Sequence, residues 1–181
     1  LQPNQLQICM TLDSYSAYQI YTVPTQDVIG REAHAKFPRY RIKNKYINTR
    51  VHFIKKSYSI IYNNALQSKG SWISLNAKFG GEPCFPHGIY GIFISGGASI
   101  GKNCVICQHV TIGSNSLIDS KGLGAPDIGE NCYIGAGAKI IGNVKIGSNV
   151  RIGANAVVYK DVPENCVVTS GEQKVVRKEK V

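Results

Sequence analysis

Between Ile73 and Val162 a branched apolar residue returns every six positions, and a small residue stands four places after most of these anchors. The clearest run has anchors at Ile94, Ile100, Ile106 and Ile112, with Ala98, Cys104 and Val110 as the small partners. The period stops at Ile118, is interrupted from Asp119 to Asp127, and resumes at Ile128, Ile134, Ile140, Ile146 and Ile152 to reach Val158. Upstream, Ile73, Phe79 and Phe85 keep the same step, after which about three extra residues precede Ile94. A period of six is neither the 3.6 of a helix nor the alternation of one long strand. It predicts a coil of three short strands, about eighteen residues per turn. Anchors and small residues then line a narrow prism, Gly and Asn take its corners, and equivalent side chains stack about 4.8 Å apart on successive turns. The expectation is a mainly β chain, a parallel β-helix over residues 71–168.

Ahead of the coil the pattern changes. From Tyr40 to Gln67 there is no Gly or Pro, and Ile42, Tyr46, Val51, Ile54, Tyr58, Ile61 and Ala65 recur at spacings of three to five. This predicts one or two amphipathic helices with those residues as the apolar stripe. Residues 1–70 read as a largely helical basic segment and residues 169–181 as a charged tail. Within residues 1–35 only short patches occur, Leu6 to Met10 and Tyr15 to Val23, closed by Pro24. His34 and His52 read as surface residues.

With 181 residues the chain supports one main domain and an appendage. Lys and Arg number 21 against 11 Asp and Glu, a formal charge of +10 that suggests an anionic partner. No nucleic-acid-binding motif accompanies the charge, which sets that class aside. No apolar run approaches a membrane span and the first residues lack the order of a signal peptide, so the expectation is a cytoplasmic protein. From Arg31 to Lys56 there are nine Lys and Arg against Glu32 alone. That segment is read as a solvated basic face, or as a surface attracted to the inner leaflet of an anionic membrane. Six Cys include Cys104-x-x-Cys107, a metal-like spacing. Yet Cys104 and Cys132 occupy the small inward position and no second close pair completes a tetrahedral set, so the thiols read as free and structural, with no metal.

A regular solenoid is a scaffold, and chemistry is expected where it departs from regularity. One departure is the run from Pro86 to Gly91, the other the excursion from Asp119 to Asp127. Phe85 and Ile106 are 21 residues apart, one turn plus the extra residues, and so share a face. His87 and His109, just past these anchors, are therefore expected at one edge on neighbouring turns, as candidate general bases. Ile128 is expected to return to that same face, which would let the excursion fold toward the two imidazoles. Ser114, Ala136 and Ala154 each follow an anchor by two residues, and they are read as a smooth column for an extended ligand. Lys139, Arg151 and Lys160 stand ready to meet its phosphates.

The hexads, His87 and the run from Cys132 to Gly147 resemble the hexapeptide-repeat acyltransferases with a left-handed β-helix, most of all their serine O-acetyltransferase branch. The resemblance covers roughly Ile73 to Ser170. It implies transfer of acetyl from acetyl-CoA to a hydroxyl, without a metal, at sites between the subunits of a trimer. By that resemblance His87 matches the catalytic base, Gly113, Ala136 and Ala154 match positions lining the CoA arm, and Arg151 matches a basic position beside it. Two departures bear on the acceptor. The resemblance sets Asp before the catalytic His, where this chain has Pro86, and an Arg-His pair in the protruding loop, where it has Gly124-Ala125-Pro126. The expected acceptor is thus a sugar hydroxyl of a capsule, exopolysaccharide or O-antigen precursor. L-serine is the alternative acceptor, and a non-catalytic scaffold the alternative of another class.

Overall fold

The computed structural model describes residues 40–171. Two helices, α1 (Tyr40–Asn48) and α2 (His52–Gln67), precede thirteen short strands. The strands form three parallel sheets, each one face of a prism. The first face holds β1 (Trp72–Ile73), β3 (Phe93–Ile94), β6 (Thr111–Gly113), β9 (Lys139–Ile141) and β12 (Val157–Val158). On the second lie β2 (Lys78–Phe79), β4 (Ser99–Ile100), β7 (Asp127–Ile128) and β10 (Lys145–Ile146). The third comprises β5 (Val105–Ile106), β8 (Tyr133–Ile134), β11 (Arg151–Ile152) and β13 (Val167–Val168), extended at its start by a bridge from Cys84 to Val105.

The six-residue period is therefore one face plus one corner. The Ile anchors from Ile94 to Ile152 are at most 3% exposed, apart from Ile118, and the small partners Ala98, Cys104, Val110, Cys132, Ala138 and Ala156 are at most 1% exposed. Each buried Ile contributes about 1.5–3 kcal/mol relative to exposure. The backbone of each turn donates to the turn above, as from Val105 N to Cys132 O (2.9 Å) and from Tyr133 N to Val150 O (2.9 Å). Between the second and third faces Asn103, Asn131, Asn149 and Asn165 take positive φ. Asn tolerates this left-handed corner. Their amides also join neighbouring turns, Asn103 to Asn131 at 3.2 Å and Asn149 to Asn165 at 3.0 Å.

Ile118 is not an anchor. It is 91% exposed, on an excursion that leaves after β6 and is pinched shut by paired Asn115 and Gly124 backbones (2.8 and 2.9 Å). The loop thus replaces the corner between the first and second faces. Ile128 consequently falls on the second face, paired with Ile100 and Ile146, and does not return to the face of Phe85 and Ile106. Beyond Val162 the coil continues to β13, and Val162 and Val168 pack against the core.

The two helices occur where the apolar spacing predicts them, but the packed stripe of α2 is a different one. Tyr62 and Leu66 are fully buried, while Val51, Ile54 and Ile61 face outward. The stripe that packs is set by β1, against which α2 lies, and both stripes have helical spacing. On α1, Lys43 is buried. Its Nζ donates to Ala77 O and lies 4.7 Å from the Phe79 ring centroid, closing the first turn of the coil. The apolar patches of residues 1–35, His34 and most of the charged tail lie outside the described residues.

Candidate active site

The edge where the third face turns into the first collects the predicted chemistry. On successive turns it carries the loop from Pro86 to Gly91, then Gln108-His109, Ala136-Gly137 and Ala154-Asn155. The backbone hydrogen bonds from His109 N to Tyr90 O (2.9 Å), Gly137 N to Gln108 O (3.0 Å) and Asn155 N to Ala136 O (2.8 Å) set the register. Gly91, His109, Gly137 and Asn155 all have positive φ, so His109 fills a corner that the other turns give to Gly or Asn. A Cβ built on Gly91 would lie 2.2 Å from His109 Nδ1; the glycine leaves the space in which the imidazole stacks. His87 is exposed on the same loop, four positions before that glycine. Both histidines thus lie on one edge, on neighbouring turns, as the spacing predicts.

A shallow groove runs from this edge onto the first face, about 630 Å³ in volume, lined by Lys69, Tyr90, Phe93, His109, Thr111 and Lys139. Lys139 Nζ donates to the His109 carbonyl at 2.7 Å, holding the backbone of the histidine corner. Lys69 Nζ donates to Tyr90 Oη at 2.9 Å and lies 4.7 Å from its ring centroid. This hydrogen bond, aided by the charge of Lys69, pulls the Tyr90 phenol below its usual pKa. The buried carboxamide oxygen of Gln108 has no hydrogen-bond partner among the described residues. Lys69 and Tyr90 were not singled out in the sequence. Tyr90 lies within the interrupted hexad, which was a usable signal; Lys69 reaches the groove only because α2 ends beside it.

The predicted ligand column divides. Ala136 and Ala154 share the histidine edge, with Arg151 on the third face before it and Lys139 on the first face after it. Ser114 does not join them, because Ile112 belongs to the first face while Ile134 and Ile152 belong to the third. Together with Gly113 and Lys160, Ser114 lies at the edge between the first and second faces. The excursion stays at that edge as well, tied to the next turn by Asn143 N donating to Gly122 O (3.0 Å). It does not fold toward the histidines of its own chain.

The thiols are packed as the hexads predict. Cys104 and Cys132 are buried, their Sγ atoms each 3.2 Å from a carbonyl of the following turn, and Cys107 lies 3.5 Å from Tyr133 Oη. Among the described residues no group of three or more His, Cys, Asp or Glu is placed to hold a metal ion.

Residues 126–160 match the family described as bacterial transferase hexapeptide (six repeats). The chain is similar in sequence and fold to the hexapeptide-repeat acyltransferase superfamily. Its prism is the left-handed parallel β-helix of that superfamily, with an N-terminal helical segment. This hexapeptide-repeat chain is similar to serine acetyltransferase isoform 3 of Entamoeba histolytica in complex with cysteine, at 29% identity and TM-score 0.63, covering 78% of this chain and 48% of that one. It is similar to Neisseria gonorrhoeae serine acetyltransferase in complex with serine, at 29% identity and TM-score 0.60, covering 76% and 53%. A serine acetyltransferase in complex with CoA matches at 32% identity and TM-score 0.58, covering 71% and 50%. The chain spans about half the length of these solved structures. No match is found among curated proteins.

Proposed function

We propose that this hexapeptide-repeat chain is an acetyl-CoA-dependent O-acetyltransferase with His87 as general base. The observation that carries the reading is the single edge on which a histidine-bearing loop and the small column of Ala136 and Ala154 follow one another. His87 takes the proton of the acceptor hydroxyl as the oxygen attacks the thioester carbonyl. Collapse of the tetrahedral intermediate releases CoA as a thiolate, which recovers the proton from the imidazolium. Small side chains at Ala136 and Ala154 leave room for the pantetheine arm, and Arg151 and Lys139 flank it for phosphates. His109 lies one turn along, positioned to contact the acceptor. Gly113, Ser114 and Lys160 are at the next edge of the prism, so one CoA meets both sets only where neighbouring copies bring unlike edges together. A trimer does this, and it is the assembly we assign.

For the acceptor the comparisons favour L-serine over the sugar expected from the sequence, since the similar structures are serine acetyltransferases, one of them with serine bound. The sugar hydroxyl stays as a second reading on one observation. Pro86 and Gly124-Ala125 stand where the resemblance sets the residues that orient the base and hold the amino acid. CoA release from acetyl-CoA, assayed with L-serine and with a panel of nucleotide sugars, decides between them: saturable turnover with serine ends the sugar reading. His87→Ala is expected to lower turnover about 10²–10⁴-fold with acetyl-CoA binding kept. Unchanged turnover in that variant would exclude His87 as the base, and absence of acetyl-CoA binding by the folded protein would favour the scaffold.

A further inference from the structure

Helix α2 is apolar on two opposite sides. Tyr62 and Leu66 point into the molecule and are fully buried. On a helix advancing by 3.6 residues per turn, Phe53, Ile54, Ile60 and Ile61 fall within an arc of roughly 120° on the side away from them. Those four residues are 78%, 43%, 51% and 53% exposed. A helix resting on a globular core normally turns polar residues outward. Ser57 and Asn64 share the arc, yet four large apolar side chains left exposed on one side mark a surface that is covered in use.

The charge of the two helices selects what covers it. Arg41, Lys45, Arg50 and Lys56 are exposed on the two helices and the link between them, and no Asp or Glu occurs from Tyr40 to Lys69. A second copy seated symmetrically would bring two acid-free basic helices together, so like charges would face each other. A nucleic acid would answer the charge but leave the apolar arc in water. An anionic bilayer meets both demands, with Phe and Ile entering the headgroup and acyl boundary while Lys and Arg meet the lipid phosphates. We propose that the α2 face formed by Phe53, Ile54, Ile60 and Ile61, with its flanking Lys and Arg, docks the protein on the anionic leaflet of a lipid bilayer.

The test is cosedimentation of the full chain with vesicles of phosphatidylcholine alone and of phosphatidylcholine mixed with phosphatidylglycerol, at low and high salt. The expected result is binding to the mixed vesicles only, weakened by salt. F53E/I60E should lower the bound-to-free ratio at least about tenfold, with an unchanged circular dichroism spectrum because both positions are exposed. Failure to sediment with the mixed vesicles, equal binding to neutral ones, or binding that F53E/I60E leaves intact overturns the proposal. Light scattering supplies one more overturning result: a mass that falls in F53E/I60E while the parent ignores vesicles would give the face to a second copy.

Discussion

His109 holds a φ of 61° where the equivalent corners of other turns carry Gly or Asn. Left-handed backbone costs most L residues about 1–2 kcal/mol, while Asn and His adopt it more readily than others. His109→Asn is therefore expected to leave the urea midpoint unchanged, and His109→Val to lower stability by about 1–2 kcal/mol. Comparing turnover in the Asn variant then separates a contact with the acceptor from a purely structural corner. Spacing alone placed His87 and His109 on one edge, because both follow anchors that share a face. The conformation of His109 was not legible, since nothing in the hexad distinguishes a corner His from a neighbouring polar residue until the turn is built. The Lys69 to Tyr90 hydrogen bond was equally invisible, joining residues 21 positions apart through the end of a helix.

Among the elements, α1 and the strands fail in different ways. Burial lowers Lys43 from 10.5 to about 8. Between these two values the unfolded chain holds a proton that the folded chain has released, so this group makes stability rise with pH from about 8 toward 10.5. Below pH 8 both forms are protonated and its slope vanishes. Lys43→Met is expected to remove that rise, seen as the difference between variant and parent in urea melts across the window. Strand positions were legible from the period because each turn repeats one geometry, and a slip would expose an Ile. The helix face was not. Two apolar stripes with the same spacing compete on α2, and only contact with β1 selects Tyr62 and Leu66 over Ile54 and Ile61. The stripe left outside is what makes the bilayer proposal possible.

At the scale of the whole molecule the proposed CoA site divides between two edges of one prism. The proposed trimer is expected to give, by light scattering, the mass of three copies of the 19.7 kDa chain. Ala136→Trp, which fills the column at the histidine edge, is expected to weaken acetyl-CoA binding at least about tenfold by calorimetry while leaving that mass unchanged. A monomer that binds acetyl-CoA normally would contradict the shared site. The six-residue period alone set the coil, its inward residues apart from Ile118, the core position of Cys104 and Cys132 and the common edge of His87 and His109. These follow from a local period that repeats, so counting residues is equivalent to building turns. Packing in three dimensions set on which face Ile128 resumes, where Ser114 lies, which stripe of α2 is buried and which side chains border the histidine groove. Each of these depends on how an interruption is absorbed or on which surface meets another. An excursion of any length re-enters the period with no mark of its face, and packing partners distant in sequence leave no spacing to count.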